Sequence, residues 1–110
     1  MALYLYQVAY TAASWAAQLK NPQNRIETAV KPACEAVGGK LIGGWYCFGD
    51  YDLVLVIELP DDETMSAVAM AVTAAGAFKD AKTTKLLTGA QAVEAMKKSE
   101  AITKIYRPAR

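Results

Sequence analysis

The chain has 110 residues, 54% of them hydrophobic, with 12 Lys plus Arg against 11 Asp plus Glu, a formal charge of +1 and no histidine. That length holds one domain with one core, and the balanced charge offers no electrostatic footprint for a nucleic acid or a membrane surface. The missing histidine removes the usual general base near neutral pH, the usual haem ligand and the commonest metal ligand, so neither a cofactor nor a metal site is expected.

Leu3 to Tyr10 is rich in strand formers. One side carries Leu3, Leu5, Gln7 and Ala9, the other Tyr4, Tyr6, Val8 and Tyr10. Both sides are largely apolar, which predicts a strand covered twice. Met1-Ala2-Leu3 lacks the basic start of a secretory signal. The longest apolar run, Ala67 to Ala77, is broken by Thr73 and falls short of the ~20 residues of a membrane span. The expectation is a cytoplasmic protein.

Thr11 is a plausible N-cap, and Asn21-Pro22 is a second helix start. Trp15, Leu19, Ile26, Val30, Ala33 and Val37 recur at spacings that put them on one helical face. Gly38-Gly39 stops the helix. Pro32 inside it predicts a kink. Cys34 and Cys47 form no CxxC and have no activating partner in the sequence, so two inert free thiols are favoured over a disulfide.

Lys40 to Phe48 and Asp52 to Leu59 read as two strands joined by a turn at Gly49-Asp50. Gly43-Gly44 signals a bulge or a close backbone approach. Leu53 to Ile57 is apolar at every position, the pattern of a strand buried on both faces. Pro60-Asp61-Asp62-Glu63 opens a helix with acidic residues at its positive end. Met65, Val68, Ala69 and Val72 form its inner stripe, and Gly76 stops it. Phe78 to Leu87 is a fourth strand whose Lys79, Lys82 and Lys85 suit an edge. Thr88-Gly89-Ala90-Gln91 is a capping box opening a helix to about Ser99. Ala101 to Arg107 reads either as a short extra strand or as an arm reaching a neighbouring subunit.

Strand, helix, strand, strand, helix, strand is the order of a ferredoxin-like βαββαβ unit, with both helices on one face of an antiparallel sheet. The other face would be apolar and larger than a monomer tolerates. The fold class is therefore α+β, one ferredoxin-like domain over 1–110 with its core at 3–98, pairing sheet to sheet as a dimeric α+β barrel. An extra C-terminal helix leads into a tail at 99–110.

At Phe48-Gly49-Asp50-Tyr51-Asp52 the chain resembles the GYD-domain proteins of the dimeric α+β barrel group. Gly38-Gly39-Lys40-Leu41, Glu58-Leu59-Pro60-Asp61 and Lys82-Thr83-Thr84 followed by Leu86-Leu87-Thr88 carry the same resemblance, which covers roughly residues 3 to 98. The resemblance implies a fold and an oligomer. It implies no single chemistry, because the group includes cofactor-free monooxygenases, haem-dependent enzymes and simple ligand binders.

The candidate ligand-contacting residues are Gln7, Trp45, Asp50, Tyr51, Asp52 and Glu58. In the structural reading, Gly49 supplies the turn's backbone angle, Asp50 caps the turn and Tyr51 packs over the sheet end. In the functional reading, Asp50, Tyr51 or Asp52 lines the barrel mouth and contacts a ligand or moves a proton. Gln7 and Glu58 interrupt apolar strands and need partners if buried: one another, Lys or Tyr side chains, or a ligand. Three functions compete. One is a small-molecule binder with its pocket between sheet and helices or within the barrel. Another is a cofactor-independent monooxygenase or isomerase acting on a small apolar or aromatic compound. The third, an RNA binder, ranks last because Leu53 to Leu59 holds no aromatic. An oligomer with no pocket stays open behind these. The expected partners are a second copy of the chain and a small apolar ligand, with no nucleic acid and no membrane.

Overall fold

The computed structural model describes residues 1–109. Strands β1 (Ala2–Tyr10), β2 (Lys40–Tyr46), β3 (Leu53–Leu59) and β4 (Phe78–Leu86) form one antiparallel sheet in the order β2-β3-β1-β4. The connections are α1 (Ala12–Lys20), a π-helical turn (Ile26–Val30) and α2 (Lys31–Ala36) after β1, and α3 (Asp62–Ala74) after β3. This is the α+β, ferredoxin-like arrangement, with β4 on the edge that its lysines suit.

The core lies on the helix-side face. Tyr4, Tyr6, Val8 and Tyr10 of β1 and Leu53, Leu55, Ile57 and Leu59 of β3 are all buried there, joined by Ile26, Cys34 and Met65. The alternate residues Leu3, Leu5, Gln7, Val54, Val56 and Glu58 are half-buried on the other face. One chain therefore covers β3 on one side only.

Each connection follows its local chemistry. Thr11 accepts the Ser14 N–H to cap α1, and Asp61 accepts the Thr64 N–H to cap α3. Gly49 takes a φ of +122° in the β2–β3 turn, a conformation that favours glycine. The Gly43-Gly44 signal resolves into both of its readings. Register against β3 shifts between Leu41 and Gly43, and a Cβ on Gly44 would stand 2.9 Å from Leu55 Cδ2 and 3.1 Å from Ile26 Cγ2.

Three expectations change. Pro32 lies inside one helical stretch, Arg25 to Ala36, where the irregularity is a π-turn rather than a simple kink. The chain leaves helix at residues 21–24, resumes it at Arg25, and widens into the π-turn just before Pro32. The Lys31 N–H bonds the carbonyl of Ile26, five residues back. That looser turn just before the proline relieves the usual clash with the preceding turn. Because residues 21–24 separate α1 from the helical stretch that follows, the single apolar stripe breaks up: Ile26 is buried, but Leu19 is 75% exposed.

The other change is at the C-terminus. The Thr88–Gln91 capping box forms, but α4 (Gly89–Thr103) runs past Ser99 and absorbs the start of the segment read as an extra strand. No residue of α4 is buried. It projects from the body, which is why the radius of gyration is 17.5 Å against ~13 Å for a compact chain of this length. The last residue of the expected tail, Arg110, lies outside the described residues.

Candidate ligand-binding site

Sheet and helices do not close on one another. Between the helix-side face and α1, the π-turn, α2 and α3 lies a cavity of about 450 Å³. The gap has a sequence cause. The helical layer and its flanking turns meet the cavity largely with alanines: Ala17, Ala29, Ala33, Ala75 and Ala77. A methyl group cannot span the distance that a Leu or Phe would fill, so the helical layer leaves a gap beside the packed core. Val8, Leu53, Leu55 and Ile57 form the floor.

Tyr6 lines this cavity, is 3% exposed, and has a hydroxyl that is buried without a hydrogen-bond partner among the described residues. Burial pushes its pKa up, so it is a neutral phenol at ordinary pH. Its neighbours on the same strand face are provided for. The Tyr4 hydroxyl donates to Asp62 Oδ1 at 2.5 Å, and burial with that bond pushes its pKa up to about 12. Tyr10 packs edge-on against Trp15 and tilted against Phe78. Of the three tyrosines, the middle one has a hydroxyl left unsatisfied within the core.

Polar groups gather where the chain breaks after α1. Ser14, Gln18, Asn21, Gln23 and Arg25 all contribute to the lining, and Arg25 is the one charged residue among them. The Arg25 backbone N–H donates to the Tyr46 hydroxyl at 3.0 Å, which pins this loop to β2. Cys34 also lines the cavity as a free thiol whose pKa is raised by burial and then by Glu35. Cys47 is free too, its Sγ 3.1 Å from the Tyr51 carbonyl.

The six residues singled out from the sequence lie elsewhere. Gln7 is on the opposite sheet face, across from Val54 and Lys82. Glu58 is on that face too, across from Leu3 and Lys40. Four residues of strand separate them, ~13 Å, so they do not bond one another. Trp45 is 60% exposed, with its ring lying over Gly43. Asp50 is exposed and its carboxylate makes no hydrogen bond among the described residues, while Tyr51 is half-buried. The capping carboxylate of this turn is Asp52. Its Oδ2 accepts the Tyr10 backbone N–H at 2.9 Å and the Trp15 indole N–H at 3.3 Å. Through Tyr10, Asp52 supports one end of the cavity wall.

Sequence reasoning named the space between sheet and helices but not its residues. Tyr6 and Tyr10 read as core residues of the first strand, Asn21 read as part of a helix start, and Gln18, Gln23 and Arg25 carried no signal. The usable signal was the alanine content of the helices facing aromatic strand residues. Among the described residues no cluster of three His, Cys, Asp or Glu side chains stands ready to hold a metal ion, and no helix is long and apolar enough to cross a membrane.

A family model described as the GYD domain matches residues 4–98. Among solved structures, the crystal structure of MtbAldR is similar at a TM-score of 0.59 with 13% identity, over 79% of this chain and 52% of that one. TTHA0845 from Thermus thermophilus is similar at a TM-score of 0.52 with 16% identity, over 81% of this chain and 96% of that one. The chain thus spans about half the length of MtbAldR. At these identities the likeness concerns the fold. No curated protein sequence matches the chain.

Proposed function

The chain belongs to the GYD-domain family, and from that premise we propose that it is a small-molecule-binding protein that works as a homo-oligomer. The observation that carries the binding reading is the gap of about 450 Å³ between sheet and helices, apolar over most of its lining and polar where Ser14, Gln18, Asn21, Gln23 and Arg25 meet it. The cavity's size falls within the range of ordinary ligand sites, ~300–1,000 Å³. The cofactor-independent monooxygenase or isomerase reading needs a proton acceptor at the substrate. The lining includes no carboxylate, lysine or histidine among the described residues, so binding without chemistry is the reading preferred.

The oligomer is supported by the uncovered sheet face. Leu3, Leu5, Val54 and Val56 lie side by side there, with Trp45 exposed beside them and Phe48 fully exposed at the adjoining turn. A second copy of the sheet would cover that face and close the barrel. Free rather than bridged cysteines suit a reducing compartment, in keeping with a cytoplasmic protein.

Thermal unfolding in the presence of a library of small apolar compounds tests the binding reading. Stabilisation that rises with ligand concentration supports it. Stabilisation that persists when the cavity is filled by Ala29→Phe would place the binding elsewhere.

A further inference from the structure

The cavity is one-sidedly equipped. Its floor and most of its walls are hydrocarbon, its polar lining is neutral apart from one guanidinium, and that guanidinium belongs to Arg25. None of the ion pairs among the described residues uses Arg25. They join Lys31 to Glu27, Lys85 to Asp62, Lys97 to Glu94 and Lys104 to Glu100. The Arg25 guanidinium stands by the Tyr10 phenol, whose pKa burial raises and Arg25 lowers through its charge and a hydrogen bond. The net shift is upward, so the phenol stays protonated and does not neutralise the cation. Gln18, Asn21 and Gln23 add amide donors on the same side of the cavity.

We infer that the cavity takes an apolar monocarboxylate, its hydrocarbon or aromatic body between sheet and helices and its carboxylate on Arg25. This rests on the cavity being a binding site at all. The guanidinium presents a planar fork that matches a carboxylate's two oxygens. The body lies in the gap between sheet and helices, along its alanine-lined helical side. The segment that carries Arg25 is held at its backbone by the Tyr46 hydroxyl. A compound that carries an ammonium group next to its acid is disfavoured, because the lining has no carboxylate among the described residues to receive it. The selected class is therefore fatty and aryl-alkanoic acids rather than amino acids.

Isothermal titration of the full-length protein with phenylbutyrate and octanoate, their primary amides, and homophenylalanine separates the cases. The acids are expected to bind about tenfold or more tightly than the amides or the amino acid, the loss of one charge-assisted interaction. Arg25→Gln should weaken the acids about tenfold while leaving the amides within about threefold, and Arg25→Lys should restore part of the loss. Arg25 is exposed, so neither variant threatens the fold. Amides binding as tightly as acids, or acids unaffected by Arg25→Gln, would overturn the carboxylate assignment and leave the cavity a binding site. Tighter binding of homophenylalanine would overturn it equally. Heat from none of the five compounds overturns the assignment, and if thermal unfolding also finds no stabilising compound the binding reading falls with it.

Discussion

Trp15 and Asp52 are joined by an indole N–H bond to Oδ2 at 3.3 Å, and the same oxygen receives the Tyr10 backbone N–H at 2.9 Å. One carboxylate thus ties the end of β1, the first turns of α1 and the β2–β3 turn together. The backbone repeats the connection: Asp52 N–H donates to the Val8 carbonyl, and Cys47 N–H donates to that of Asp52.

Asp52→Ala should therefore destabilise the protein by about 2–4 kcal/mol, since hydrogen bonds to a charged acceptor contribute about 1.5–3 kcal/mol each and are not fully additive. Asp50→Asn, two residues away and exposed, should change stability by less than about 0.5 kcal/mol. Urea unfolding of the two variants is the check, and equal effects would contradict the assignment of Asp52 as the structural acid of the turn.

Tyr6→Phe separates stability from binding. Removing a hydroxyl that has no partner should leave the ligand-free protein equally stable or up to about 1 kcal/mol more stable. It should also lower affinity for a ligand that uses the hydroxyl. A clear loss of stability in the ligand-free protein would mean that Tyr6 Oη has a partner in solution.

Alkaline pH should weaken the fold through Tyr4. Its pKa stands at about 12 in the folded chain against 10.0 ordinarily. Between those values the unfolded state has released a proton that the folded state keeps. The slope of stability with pH is then negative. The contribution is whole below pH 10 and lost as pH rises through about 12. Tyr4→Phe should flatten this limb in a series of denaturation curves. At the acid end, Lys85 and Tyr4 hold Asp62 below its ordinary pKa, and Thr64 does the same for Asp61. Their contribution is present above the ordinary carboxylate pKa and lost as pH falls through the lowered values.

Val56→Glu tests the sheet face. Val56 lies across from Leu5 on one side and Gly43 on the other, in the middle of the surface that a second copy would cover. A charge there should give a soluble monomer or aggregate by light scattering after size exclusion. An unchanged oligomer would contradict sheet-to-sheet pairing.

The alternation in β1, the runs in β3, the glycine stops and the Thr88 capping box made the ferredoxin-like order readable, because each is a local pattern with a local cause. What escaped was whatever depends on two distant segments at once. The unbroken apolar run Leu53–Ile57 looks the same whether its second face is covered by helices or by another chain. The π-turn before Pro32 depends on how Ile26 seats against Gly44, a contact between segments far apart in sequence. The site was lost for a related reason. A tyrosine facing a packed core and one facing a cavity share one pattern, and the cavity exists because alanines scattered over three helices face the same strands. The GDYD turn drew attention to Asp50 because acids in turns often cap them. Which of two acids turns inward is decided by where Tyr10 and Trp15 arrive.

Native mass spectrometry of the protein, sprayed with and without the alkanoic acids above, tests the central claim most directly. The account predicts an oligomer that gains about one small-molecule mass per subunit, retained from the cell or added from the acids, and an Ala29→Phe variant that assembles alike without the gain. A wild-type spectrum with no bound mass in either condition would contradict the cavity as a binding site.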